Sequence, residues 1–166
     1  MIKGILNRLR PTSLDEQIHM YLLSIHNNFY CLETTGEDGE SELNGYEIAE
    51  ENAEKLGKDL SKSHLLYLES KLPEILSTQE DWSRHHAFGV GCAKGVDDHL
   101  NFWEKLLANL SEIPFEKQTI NVLRGFIRHL SQIRPELTNS ILDSLLHDKR
   151  ANKLFPYIQF CVTLDT

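Results

Sequence analysis

GVGCAKG, residues Gly89 to Gly95, is the stretch on which the fold turns. Three glycines around a lysine make either a loop that cradles phosphate or a helix surface small enough for a second backbone to rest on. A P-loop requires G-x-x-x-x-G-K-[ST] between a buried strand and a helix, so that amides at the helix N-terminus converge on the anion. Here Lys94 precedes Gly95 and Val96 follows. The dinucleotide fingerprint G-x-G-x-x-G fails as well, because Lys94 stands where the third glycine belongs. The preceding DWSRHHAF does not read as a parallel-sheet strand. The stretch is therefore read as helix: Gly89, Cys92 and Ala93 offer a small-residue face to a neighbour, and Gly95 ends the helix where a left-handed conformation is wanted. Gly125, inside VLRGFIRHL, has the same packing role in spite of a helix-propensity cost of about 1 kcal/mol.

Outward from this stretch the periodicity is helical almost throughout. Ile2, Ile5, Leu6 and Leu9 lie at helical spacing until Pro11 stops them. Ser13 and Glu16 form the S-x-x-E capping box of a second helix, whose stripe is Leu14, Ile18, Tyr21, Leu22 and Ile25, continuing towards Phe29. ETTGEDGESELNG, from Glu33 to Gly45, carries three glycines and five acidic residues and reads as a solvated loop. Its carboxylates do not fit the calcium-loop spacing D-x-[DN]-x-[DN]-G-x5-E. Helical pattern returns over 46–60 and again through Leu65, Leu68, Leu72, Ile75 and Leu76, where Pro73 is expected to kink or divide the element. Further helices are expected at about 82–95, 98–111, 117–133 and 135–147. FPYIQFCVTLDT permits strand or helix; helix is preferred, with Pro156 in its first turn.

The expected fold is all-α: six to eight helices in antiparallel hairpins, forming a short α-solenoid or an irregular bundle. One domain spans 1–166, with N-terminal helices over 1–32, the acidic loop over 33–45 and hairpins over 46–166, repeat-like from 82. Sliding the chain by 38 residues lays Phe88 on Phe126, Cys92 on Leu130 and Leu107 on Leu145, within the period range of tetratricopeptide, HEAT and armadillo arrays. The final element barely begins before Thr166, which suggests a piece of something longer.

The chain has 166 residues, enough for a core of its own, with 40% apolar and 25% charged residues. Its net charge of −8 speaks against a nucleic-acid backbone as partner. The acidic excess is confined to one half: residues 1–80 hold fifteen Asp and Glu against seven Lys and Arg, residues 81–166 ten against ten. Cys31, Cys92 and Cys161, odd in number and without a CxxC pair, suit a reducing compartment. With no apolar run long enough for a signal peptide or a membrane span, the expected location is cytoplasmic.

Candidate chemistry is sparse. His85, His86, His99 and Cys92 could ligate zinc by type, but two adjacent histidines diverge by about 100° on a helix and His86 to Cys92 is nearly two turns. They are read as surface or partly buried side chains at a helix start. Asp97 and Asp98 are read as helix caps. No serine or cysteine has a placed base, so no catalytic residue, cofactor or metal is assigned. Arg124 and Arg128, one turn apart, with Arg134 beyond their helix, form the candidate partner-binding strip, suited to a carboxylate-rich partner or a phosphate. Trp82, Trp103, Phe102 and Phe126 are read as core.

Through NVLRGFIRHL, the Pro135-Glu136-Leu137 that opens the next helix, and LFPYIQF after it, residues 82–164 resemble a HEAT-like α-helical repeat segment. More loosely they are similar to the repeat regions of large bacterial proteins that couple such arrays to an NTPase module. The resemblance implies recognition of another macromolecule, with hydrolysis lying outside these residues, which hold no Walker motif. The expectation is a protein-interaction or scaffolding module without enzymatic activity, its partner another protein rather than nucleic acid or membrane. Two rivals remain open. One is an acidic inhibitor or immunity-type protein that neutralises a basic enzyme through Glu37, Asp38, Glu40 and Glu42. The other is a metal-dependent enzyme using His85, His86 and His99.

Overall fold

The computed structural model describes residues 11–24, 34–35, 41–43, 45–78, 82–149 and 151–162. Among these the fold is all-α, with eight α-helices: α1 (Leu14–Ile18), α2 (Gly45–Ser63), α3 (Leu65–Leu76), α4 (Trp82–Gly95), α5 (His99–Ser111), α6 (Asn121–Ile133), α7 (Pro135–His147) and α8 (Phe155–Gln159). The helix expected over 2–9 lies outside the described residues. So do most of the acidic loop, the continuation of the second helix to Phe29 and the residues beyond Val162.

The capping box at the start of α1 forms as its sequence demands. The Ser13 hydroxyl accepts from the Glu16 amide at 3.2 Å, and the Glu16 carboxylate accepts from the amides of Thr12 and Ser13 at 2.7 and 3.1 Å. Those donors, the Thr12 amide first, hold the Glu16 carboxyl down at about 2. The helix then widens into a π-turn over His19–Leu23 and ends at Ser24. Arg84 of α4 closes this end: its guanidinium donates to the carbonyls of Met20 and Ser24, both at 3.1 Å. The terminal carbonyls of a helix lack partners of their own, and a charged donor here satisfies two of them. Within the stretch read as a solvated loop, Thr34–Thr35 and Ser41–Leu43 instead pair as short antiparallel strands, β1 and β2. An antiparallel ladder satisfies backbone groups without requiring apolar side chains, which is why the residue types did not announce it.

From Gly45 onward the chain folds as three successive helical hairpins, α2/α3, α4/α5 and α6/α7. Their second helices are capped at His64, Asp98 and Arg134, so the period is 34 and then 36 residues. The 38-residue slide is thereby corrected: the packing lays Gly91 on Gly125, each meeting a carbonyl of the preceding first helix, and so lays Cys92 rather than Phe88 on Phe126.

Helix α4 lies between α2 and α6, and the glycines explain how. Gly89 and Gly91 are two residues apart, about 200° around a helix, so they open on opposite faces. An ideal Cβ at Gly91 would overlap the Glu54 carbonyl oxygen of α2 and stand 2.9 Å from the Lys58 amide nitrogen. One at Gly89 would overlap the Val122 carbonyl oxygen of α6 and stand 3.0 Å from the Phe126 nitrogen. Both seams are reciprocal, since Gly57 of α2 meets the Phe88 carbonyl of α4 and Gly125 of α6 meets the His86 carbonyl. Contacts climb both chains together, Glu54 and Lys58 meeting Gly91 and Gly95, so α2 and α4 run parallel. Lys94 likewise acts on His129 two turns beyond the level where His86 meets Arg124 and Arg128, so α6 runs parallel to α4.

Gly95 corrects one expectation. It closes α4 without a left-handed backbone; its missing Cβ makes room for the Lys58 carbonyl and the Ser61 hydroxyl of α2. Ser61 in turn donates to the Cys92 carbonyl at 3.3 Å. Cys92 is fully buried in this seam, which pushes its thiol pKa far up.

The return helices pack differently. Helix α5 lies beside α3 and lays Phe102 and Trp103 on Phe126 of α6, with ring centroids 5.6 and 6.3 Å apart. These three aromatics are buried, as read from the sequence. Pro73 neither divides nor ends α3. It lies on the exposed side, where water can serve the carbonyl it frees, while Leu68, Leu72, Ile75 and Leu76 hold the helix to the core on both sides of it. Helix α6 starts at Asn121 rather than near 117, because the chain is extended at Gln118 and Thr119 donates its amide to the Leu76 carbonyl at 2.7 Å. Helix α8 begins with Pro156 in its first turn, as expected for this segment.

Candidate anion-binding cavity

Within α6 the pattern NVLRGFIRHL sorts two faces. Val122, Leu123, Phe126, Ile127 and Leu130 are buried, while Asn121, Arg124 and Arg128, at i, i+3 and i+7, follow a second stripe. That stripe forms one wall of a cavity of about 470 Å³. The opposite wall is Ser83 and His86 of α4, and the chain leaving α8, Phe160 to Val162, closes the third side. The volume falls within the range of small-ligand sites.

Arg124 is held in place: its Nε donates to the Cys161 Sγ at 3.0 Å, and a terminal nitrogen donates to the Asn121 Oδ1 at 3.4 Å. Arg128, one turn on, is exposed and forms no ion pair among the described residues. His86 is half-buried between them. Burial first, then the charges of Arg128 and Arg124, depress its pKa below the ordinary imidazole value, with Glu50 of α2 opposing. At neutral pH the imidazole is therefore neutral beside two guanidinium groups. Among the described residues no Asp or Glu lines the cavity. Phe160 stands at the rim, 88% exposed. The wall thus sets two cations, an imidazole and the Asn121 amide beside an apolar ring.

Of the three arginines singled out in the sequence, the structure brings Arg124 and Arg128 together and leaves Arg134 out. Arg134 is the single residue linking α6 to α7, with non-helical backbone, so its side chain leaves the stripe. The histidines separate. His85 is fully buried, contrary to the expectation of a surface or partly buried group, because it turns inward on the face next to Arg84. His86 faces the cavity. His99 sits at the start of α5, its Nε2 3.0 Å from the Ala93 carbonyl and its ring 6.2 Å from that of Phe126. Among the described residues no three His, Cys, Asp or Glu side chains converge. Asp98 caps α5 by accepting from the Asn101 amide at 3.0 Å. The Gly89–Gly95 amides are spent inside a helix and point at no ligand. Sequence reading missed Ser83, Asn121, Phe160 and Cys161. Asn121 had a signal, three residues before Arg124; Phe160 and Cys161 had none, since α8 reaches α6 only through the tertiary fold.

No protein-family model matches the chain, and no curated protein or solved structure is detectably similar to it. No helix among the described residues is long and apolar enough to cross a membrane.

Proposed function

We propose that the chain is a protein-interaction module, a short array of helical hairpins that receives an acidic segment of another protein at Arg124 and Arg128. The observation that carries this reading is the cavity itself: two guanidinium groups one turn apart, His86 opposite, no carboxylate among the described residues of the wall and an exposed phenylalanine at the rim. Arginine's planar fork suits carboxylates, and an exposed aromatic beside it suits an anchor residue. With a net charge of −8, the partner in this proposal is a protein rather than nucleic acid. HEAT-like kinship, a place in a larger bacterial protein, the absence of enzymatic activity and a cytoplasmic setting belong to the same proposal. Cys92 and Cys161 are free thiols, as a reducing compartment would leave them.

A peptide-display selection tests it. The wild-type protein is expected to enrich sequences rich in Asp and Glu next to an apolar residue, and the double variant Arg124→Glu, Arg128→Glu to lose them. Arg128→Glu alone, at an exposed position, is expected to move Tm by less than about 2 °C. Selection of the same peptides by the double variant would show that the surface is wrong. The second reading, an acidic inhibitor of a basic enzyme, has one observation in its favour: Glu47, Glu50, Glu51 and Glu54 line a groove on α2. The acidic loop residues first named for it, Glu37, Asp38 and Glu40, lie outside the described residues, as does the side chain of Glu42. Enrichment of Lys- and Arg-rich peptides in the same selection would favour that reading.

A further inference from the structure

We infer that the anion this cavity takes is a phosphate monoester, carried on the partner's chain, and that Arg128, Arg124 and His86 together hold its terminal oxygens. This rests on the reading of the α6 arginines as the docking surface and makes it specific.

The first reason is the number of donors. Arg128 brings a guanidinium with no ion pair among the described residues, Arg124 a second one already oriented by Cys161 and Asn121, and Asn121 and His86 bring an amide and a ring N–H to the same cavity. A carboxylate offers two oxygens. A phosphate monoester offers three, at a charge of about −1.5 to −2 near neutral pH, which matches two guanidinium charges rather than one. The second reason is the wall: among the described residues that line it none is Asp or Glu, so a dianion meets no like charge from them. Among the described residues the carboxylate that opposes the arginines at His86 is Glu50, from α2. The third is rigidity. Arg124 is pinned by Cys161 and Asn121, so little side-chain freedom is lost when it binds, whereas Arg128 is left to close over the ligand.

His86 then acts as a proton-coupled third donor. The groups that bear on it are Arg124 and Arg128 from α6, Glu50 from α2 and, in the cavity wall beyond α8, Cys161. Burial and the two arginines keep the ring neutral; a dianion seated between them reverses the sign of the local field, and the ring takes up a proton from solvent.

The experiment follows the His86 ring by NMR in the full chain, assigned with His86→Gln. Four additions are compared at pH 7: N-acetyl-phosphoserine-N-methylamide, its glutamate counterpart, inorganic phosphate, and sodium chloride at matched ionic strength. The phosphoserine compound is expected to shift the ring saturably and to raise its proton affinity about tenfold or more. Arg128→Gln is expected to weaken binding at least about tenfold with Tm unchanged. Tighter binding of the phosphoserine compound than of inorganic phosphate supports a phosphorylated chain as the source. Inorganic phosphate binding as tightly as the phosphoserine compound overturns the chain-borne ester and removes this site from the protein-interaction reading. Equal binding of the glutamate compound overturns the phosphate inference while leaving that reading its acidic ligand. Chloride reproducing the shifts, or Arg128→Gln binding as the wild type does, overturns the inference outright.

Discussion

The seams α2/α4 and α4/α6 and the row of return helices solve one packing problem by opposite means. Along the seams, backbone rests on backbone: Gly57 and Gly91 meet carbonyls of the facing helix across one, Gly89 and Gly125 across the other. Each glycine costs about 1 kcal/mol of helix propensity, which close approach must offset through dispersion and Cα–H···O contacts of about 0.5–1 kcal/mol each. In the return row, large side chains fill the space instead, with Phe102 and Trp103 against Phe126 and a Lys105–Glu69 ion pair tying α5 to α3. A seam made of backbone cannot yield by moving a side chain, while a row made of side chains yields by leaving a hole. The two should therefore respond to substitution with opposite volume dependence.

The sharpest way to break this comparison is to add one methyl group. Gly91→Ala should stabilise an exposed helix by about 1 kcal/mol; in this seam it is expected to destabilise by more than about 3 kcal/mol, since the obstacle is the Glu54 carbonyl and not a rotatable group. Urea titration reads the sign directly. A stabilised or unchanged protein would mean that the helices separate without cost. Trp103→Ala, which removes volume from the return row, is expected to cost about 3–5 kcal/mol by the same measurement, with the chain still folded at low temperature. At the bottom of the scale, Lys94→Ala breaks the 2.5 Å ion pair with Glu54 that bridges the α2/α4 seam at its surface. Both side chains are more than a third exposed, so about 0–1 kcal/mol is expected, falling further in salt. A larger loss would show that the seam depends on its rim charges as well as its glycines.

Much of this was legible in local pattern. The helices over 82–95 and 135–147, the Ser13–Glu16 box, the Asp98 cap and the buried aromatics each follow from residues within a turn or two of one another. Arg124 and Arg128 were legible as a pair for the same reason. Where distant groups decided, local pattern misled: Pro73 is overruled by the leucines packed on either side of it, Arg134 by its place in the link, and Gly95 by the Lys58 carbonyl.

By itself, then, the sequence determined an all-α chain, the spans of most of its helices and the small-residue character of Gly89–Gly95, because helical periodicity and capping are short-range. The tertiary structure alone decided that Gly89 and Gly91 face different neighbours, that Arg84 closes α1, and that Cys161 meets Arg124 while Phe160 joins them in lining a cavity. Those contacts join residues 33 to 64 positions apart, and no local spacing encodes them; they exist only once three hairpins have stacked and brought the chain back upon itself.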